Sequence, residues 1–485
     1  MENLGKPRSP LNVAMQYLFA LFLFVALHGC LAVGPDYKTP DIAAPDLWSR
    51  NLQRGLSAAD PEAETLAKWW VNFGDPDLIN LVERALVGSL DLQVAQARVR
   101  EARARRGIAE AGLSPSLDLG GSATVSRGSE ETGSGVRSEL YRTGFDSSWE
   151  LDVFGGVRRS IEAADGDLKA TVADYQDVLV SLLAEVALNY VEARTFQAQL
   201  QVAEENLKVQ AETLQLVEWR FAAGLVSSLD VEQAKSNLES TRALLPRLRA
   251  IIEAAKNRLS ILLGIFPGML QSQLAARKPI PEAPLEVAVG VPAEVLRRRP
   301  DVRRAERQLA AQTARIGVAT ADLYPKFSLP GSIGLEALSS NHLFSTSSGL
   351  WTVVSRFSWN VFTGGAIRQN IEVQNALQEQ TLKQYEATIL IALEEVENAL
   401  ADFAEEQERR DALLEASQAA QRAAELARDQ YASGLIDFQT VLDAERTLLS
   451  FGDQLAQSKG QVTSNLISLY KALGGGWTTM PGMAP

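Results

Sequence analysis

Arg220-Phe221-Ala222-Ala223-Gly224-Leu225-Val226 and Gln430-Tyr431-Ala432-Ser433-Gly434-Leu435-Ile436 lie 210 residues apart and read as one motif. Each closes a stretch nearly free of helix breakers. From Gly156 to Ala223 the only interior glycine is Gly166 and there is no proline; from Gly365 to Ser433 there is neither. Ala, Leu, Glu, Gln and Arg dominate both stretches, and these are strong helix formers. Apolar residues recur three and four apart, as in Leu390, Leu393, Val396, Ala399, Leu400 and Phe403. At 1.5 Å per residue such a helix approaches about 100 Å. Gly224 and Gly434 suit the left-handed position that ends a helix. Return helices are expected from about Asp230 to Leu263 and from about Phe438 to Leu473, with Pro246 kinking or breaking the first.

The same offset relates other stretches, so the chain reads as an internal duplication. Ser114-Pro115-Ser116-Leu117 matches Tyr324-Pro325-Lys326-Phe327, and Leu263-Gly264 matches Leu473-Gly474. Val153-Phe154-Gly155-Gly156 matches Val361-Phe362-Thr363-Gly364-Gly365 at a slightly smaller offset. Each half has the order helix, strand, strand, very long helix, turn, helix. The opening helices are expected from about Asp77 to Ala111 and from about Pro300 to Asp322. In the second, Arg299-Pro300-Asp301 places proline at the first helical position and an acid in the first turn.

The strand segments alternate with period two. Leu117, Leu119, Ala123 and Val125 oppose Asp118, Ser122, Thr124 and Ser126. Phe145, Trp149, Leu151 and Val153 oppose Asp146, Ser148, Glu150 and Asp152. Phe327, Leu329, Ile333 and Leu335 oppose Lys326, Ser328 and Ser332. Trp351, Val353, Phe357, Trp359 and Val361 oppose Thr352, Arg356, Ser358 and Asn360. About ten residues per segment suits a tilted transmembrane β-strand. Alternation alone also describes a soluble sheet with one wet face. The aromatic face and the export signal favour a membrane, with Phe145, Trp149, Trp351 and Trp359 at its interfaces. Four strands cannot close a barrel, because about eight are needed. An open edge in lipid leaves backbone groups unsatisfied. Several chains must then share one barrel. Asp118, Asp146, Glu150 and Asp152 against Lys326 and Arg356 predict a lumen that mildly favours cations.

Composition narrows the remaining classes. The 485 residues carry a net charge of −13, which offers no basic surface for nucleic acid. Cys30 is the single cysteine, and His28 and His342 are the only histidines. A disulfide framework, a thiolate metal cluster and a His-rich metal site are therefore not expected. No cofactor is implied, and an enzyme such as a surface hydrolase would rest on His342 alone. That residue lies in the Ser-rich loop Ser339 to Gly349, which reads as an extracellular turn. The N-terminus reads as an address. Lys6 and Arg8 precede the apolar run Leu18 to Leu27, which falls short of the roughly 20 residues that span a membrane. Leu27-His28-Gly29-Cys30 resembles a lipobox, with Cys30 as the lipidated mature N-terminus. His28 departs from the usual Ala, Ser or Thr. Leu31 in place of Asp suggests sorting to the outer membrane.

Four further stretches carry a family resemblance. They are Val33-Gly34-Pro35-Asp36-Tyr37-Lys38-Thr39-Pro40; Trp69-Trp70 with Phe73, Asp75-Pro76 and Leu78; Leu296 through Glu306; and Asn465-Leu466 with Leu469 through Trp477. In this order they span the chain, which resembles the outer-membrane factor (TolC-like) family, in its lipidated branch serving resistance-nodulation-division pumps. The resemblance implies a mainly α fold with transmembrane β. Three copies would share one 12-stranded β-barrel and a long periplasmic α-helical barrel.

It also implies an organisation along the chain: signal peptide 1–29, lipid-anchored and equatorial segment 30–76, first repeat 77–270, connector 271–299, second repeat 300–475 and tail 476–485. The partners implied are two further copies, a periplasmic adaptor, an inner-membrane pump and outer-membrane lipid. Phe221, Gly224, Leu225, Tyr431, Gly434 and Leu435 become the adaptor-contacting tips. Tyr431, Asp443 and Arg446 become the resting gate. The bland reading of Asp443 and Arg446, at i and i+3, is a weak surface pair. The first half holds Gln233 and Ser236 instead, and Gln439 stands where relatives often have an apolar residue. The rivals are a structural rod and, nearer, the outer-membrane duct of a type I protein-secretion system. The exported substrate is not legible.

Overall fold

The computed structural model describes residues 32–41, 45–60, 62–284 and 286–477. Cys30, His28, the leader and residues 478–485 of the tail lie outside them. In chain order the elements are β1 (Leu56–Ser57), α1 (Ala63–Ala67), a 3-10 turn (Trp69–Phe73), α2 (Pro76–Gly88) and α3 (Leu90–Ala111). Then come β2 (Ser116–Arg127), β3 (Arg137–Ser148), β4 (Glu150–Leu151), α4 (Gly156–Ala222) and α5 (Ser228–Leu262). The second half continues with β5 (Val287–Ala288), α6 (Pro292–Arg298), α7 (Pro300–Ala321), β6 (Lys326–Ser328) and β7 (Gly331–Ala337). It ends with β8 (Gly349–Val353), β9 (Arg356–Ser358), α8 (Ala366–Ala432) and α9 (Phe438–Ala472). The two halves match closely: α4 and α8 have 67 residues each, and α5 and α9 have 35 each.

Several boundaries differ from the sequence reading. The expected helix from Asp77 to Ala111 is two helices, because Ser89 is extended (ψ 124°) between α2 and α3. Pro246 does not end the first return helix; α5 runs through it. The first expected strand is continuous, as β2, and the other three are interrupted. The second begins earlier, at Arg137, and breaks at Trp149. The third breaks at Leu329–Pro330, where a ring replaces a ladder donor. The fourth breaks at Val354–Ser355 and ends at Ser358, before Val361. Asp152, expected on the polar strand face, caps α4 instead. Its carboxylate accepts from the Val157 and Arg158 amides, both at 2.9 Å, and pairs with the Arg158 guanidinium.

The chain forms two compact units. One comprises residues 32–41, Val99–Thr171 and Ala305–Tyr385. Its main sheet is antiparallel, in the order β2-β3-β7-β8, and a smaller one runs β4-β6-β9. Register places Leu119, Phe145, Ile333 and Trp351 in one row across the main sheet, all exposed. The adjacent row, on the opposite face, is Asp118, Asp146, Ser332 and Thr352. One face is thus an apolar band and the other polar, as the alternation predicts. Among the described residues no helix is long and apolar enough to cross a membrane.

A row of small residues, Gly120, Gly144 and Gly334, lets the middle strands approach. A Cβ on Gly334 would sit 2.4 Å from the Thr143 carbonyl oxygen and 2.7 Å from the Gly144 Cα. Two indoles tie the strands to the helices before them. Trp149 Nε1 donates to the Leu113 carbonyl at 2.9 Å, and Trp359 Nε1 donates to that of Leu323 at 3.0 Å. The duplication therefore extends to individual hydrogen bonds. The segment after Cys30 is held in this unit by buried Arg159. Its guanidinium donates to the carbonyls of Val33 and Gly34 and to the carboxylates of Asp36 and Glu162.

The second unit comprises residues 45–98, Val172–Arg304 and 386–477. β1 and β5 pair in parallel, and Trp48 Nε1 donates to the Gly290 carbonyl at 2.8 Å. Trp69 is buried and stacks on Tyr470 with ring centroids 5.5 Å apart. Two buried arginines organise the connections. Arg194 pairs with Asp77 and donates to the Ala276 carbonyl, both at 2.8 Å. Arg299 forks onto Asp301, pairs with Glu395 and donates to the Ala472 carbonyl at 2.9 Å. Burial opposes the charge on Asp301, but the Arg299 hydrogen bonds and charge prevail and hold its carboxyl below its ordinary value.

Gly334→Val should crowd the strand pair and cost about 1–3 kcal/mol. The check is the midpoint of thermal unfolding of the purified protein in detergent, followed by circular dichroism. It should fall clearly, whereas Ser332→Thr in the neighbouring row should leave it unchanged.

Candidate functional site: the helical hairpin tips and the charged pair beside them

Both hairpin turns have the same backbone chemistry. At the first, the Leu225 amide donates to the Arg220 carbonyl and the Gly224 amide to that of Phe221, each at 2.9 Å. At the second, Leu435 donates to Gln430 and Gly434 to Tyr431, again at 2.9 Å. These paired bonds form the Schellman closure, which needs a left-handed residue. Gly224 and Gly434 supply it with φ of 72° and 76°. The next helices start on side-chain caps. Ser227 and Asp230 form a reciprocal capping box at α5. Asp437 accepts from the Thr440 amide at 2.9 Å at α9. Phe221, Leu225 and Leu435 are exposed at these tips.

Tyr431 has a different environment from the other tip residues. It is only 3% exposed and packs with Val217, Val231, Ala234, Phe438, Val441 and Leu442. Its ring lies 5.4 Å from that of Phe438. The Arg220 guanidinium sits 4.6 Å above the ring centroid and donates to the Tyr431 carbonyl at 2.6 Å. This joins the tip of α4 to the tip of α8 by a cation–π contact and a charge-assisted hydrogen bond. The Tyr431 hydroxyl is buried without a hydrogen-bond partner, and burial raises its pKa.

Asp443 and Arg446 lie on α9 and are mostly exposed, at 64% and 55%, with 3.9 Å between their charged groups. At this distance in water the pair is worth no more than about 1 kcal/mol. Each has a second tether. Gln439 Nε2 donates to the Asp443 Oδ1 at 3.0 Å. Arg446 Nε donates to the Asn237 Oδ1 on α5 at 3.2 Å. Asp443 and Arg446 are thus brought together, while Tyr431 sits in the hairpin core with its hydroxyl bonded to neither.

Three residues here escaped the sequence reading: Arg220, Asn237 and Glu445. Glu445 carried a signal. It continues the apolar stripe of Phe438, Val441 and Leu442 at helical spacing, and a carboxylate on such a stripe is costly unless partnered. Arg220 lies in the opening motif, but its repeat partner is Gln430, so the duplication gave no emphasis to it. Asn237 had no local signature. Among the described residues no cluster of His, Cys, Asp and Glu is arranged to hold a metal ion.

The chain matches the family model described as outer membrane efflux protein twice, over residues 81–265 and 291–475. The cation efflux system protein CusC of Escherichia coli is 32% identical to it, over 93% of this chain and 97% of that protein. The solved structure of the outer-membrane channel OprN superposes with a TM-score of 0.87 at 39% identity, covering 92% of this chain and 99% of that one. The open state of the outer-membrane channel MtrE of Neisseria gonorrhoeae gives 0.79 at 29% identity, covering 92% and 98%. Two tandem matches, near-full coverage and the paired hairpins agree: the chain belongs to the outer membrane efflux protein family.

Proposed function

We propose that this chain is the exit duct of a tripartite efflux system, closed by three copies and opened from its hairpin tips. As a member of its family it is an outer-membrane efflux channel. The observation that carries the assembly is the four-stranded main sheet, whose apolar band is exposed and whose outer strands β2 and β8 have, among the described residues, no strand beyond them. Three copies joined edge to edge share a 12-stranded barrel, three times the four strands of one chain, and no edge remains in lipid. The long helices α4, α5, α8 and α9 then form the periplasmic tunnel. Acylation of Cys30 adds a membrane anchor beside the segment clasped by Arg159.

The exposed apolar side chains of Phe221, Leu225 and Leu435, on turns held rigid by Gly224 and Gly434, support the tips as the surface that receives a periplasmic adaptor. Selection of cargo then belongs to the inner-membrane resistance-nodulation-division pump. Asp443 and Arg446 form the gate. Three copies of each charge around an axis constrict the lumen through bonds that are individually weak, so a partner can break them. Tyr431 contributes its ring, which fixes one hairpin tip against the other. The solved open state of MtrE supports a gate with more than one state in this family.

The double variant Asp443→Ala with Arg446→Ala should raise single-channel conductance of the purified protein in planar bilayers. Unchanged conductance would overturn the gate assignment. Tyr431→Phe should leave conductance unchanged and thermal stability equal or higher, by about 1 kcal/mol, because it removes an unpartnered buried hydroxyl. Tyr431→Ala should open the channel, since truncating a packed aromatic costs about 3–5 kcal/mol. Opening by Tyr431→Phe would instead assign the gating role to the hydroxyl.

A further inference from the structure

Beneath the exposed pair lies a buried carboxylate. Glu445 is 1% exposed and sits among α4, α5 and α8. Its Oε1 accepts from the Thr213 hydroxyl of α4 at 2.6 Å. Its Oε2 accepts from Asn237 Nδ2 of α5 at 3.3 Å. Arg428 of α8 supplies the basic charge that acts on it, and Asp443 and Arg446 flank it on α9. The Asn237 amide has its nitrogen toward Glu445 and its oxygen toward Arg446 Nε. The partners dictate this orientation. An ionised carboxylate only accepts hydrogen bonds and a guanidinium only donates them.

We propose that Glu445 and Asn237 are positioning residues of the gate: the buried carboxylate orients the Asn237 amide, and the amide holds the Arg446 guanidinium. This rests on the assignment of Asp443 and Arg446 to the gate. Its consequence is a response to acid. A protonated Glu445 carries an O–H donor, so the amide no longer has to present its nitrogen. With the amide reversed, its NH2 faces the guanidinium, donor against donor, and Arg446 is released. Burial raises the Glu445 carboxyl above its ordinary value, although Thr213, Arg428 and Asn237 pull it back down. The latch is present above that folded pKa and lost below it. Release therefore comes at a higher pH than for an exposed glutamate.

Conductance of the full-length trimer in planar bilayers, measured across a pH series, tests the proposal. The wild type should show a severalfold rise on acidification. Asp443→Asn, which removes the gate's own carboxylate, should conduct at the open level across the whole series. Glu445→Gln should abolish it. Asn237→Leu should be open at both ends of the series. Thr213→Val, which removes one donor to the carboxylate and leaves the amide untouched, should shift the step to higher pH. The proposal is overturned if the wild type shows no step, if the step survives in Glu445→Gln, or if Thr213→Val does not shift it. Failure of the underlying gate reading is separable: the Asp443→Ala, Arg446→Ala protein would then conduct like the wild type.

Discussion

The two unpaired edges of the main sheet, on β2 and β8, are the constraint from which the rest follows. Within lipid every backbone N–H and C=O must find a partner in protein. One chain contributes four strands, with an apolar band running through Leu119, Phe145, Ile333 and Trp351. Such a sheet is stable in a membrane only when neighbouring copies complete the ladder. A tunnel is then a property of the assembly, and under the proposed gate a pair as weak as Asp443 and Arg446 suffices because it is repeated in every copy.

Duplication explains much of the local chemistry. Trp149 and Trp359 make the same bond to the end of the preceding helix, and the two Schellman turns agree bond for bond. These conserve the scaffold. Some differences between the halves fall at and beside the hairpin tips. Arg220 has Gln430 as its counterpart, and Asp443 and Arg446 have Gln233 and Ser236.

Buried arginines do the joining elsewhere. Arg159, Arg194 and Arg299 each gather carboxylates and main-chain carbonyls from segments distant in sequence. A guanidinium suits this task, since it presents five donors in a planar fork and remains charged when buried. Removing one carboxylate from such a cluster leaves a buried charge partly unpaired, which costs far more than loss of a surface pair. The Arg299-Pro300-Asp301 signature is thereby explained. Proline starts α7, while the two charged residues clamp its beginning to the end of α9.

Legible from residue order alone were the duplication, the long helices, the alternating strands and the turn glycines. Each is set by local rules: helix propensity, side-chain period and the left-handed backbone of a C-terminal cap. The inability of four strands to close a barrel followed from the same reading. Strand interruptions at Trp149 and Pro330, the use of Asp152 as a cap and the break at Ser89 were not legible, because alternation and helical periodicity continue across them. Tyr431 could be singled out as a tip residue, but its place in the hairpin core depends on Arg220 and Phe438, which only the packing of α4, α8 and α9 brings to it. The partnership of Thr213, Asn237 and Glu445 is likewise a product of tertiary structure. The three residues lie on three helices, 24 and 208 residues apart along the chain. No local rule relates such positions; only the close approach of the helices turns a misplaced carboxylate into a partnered one.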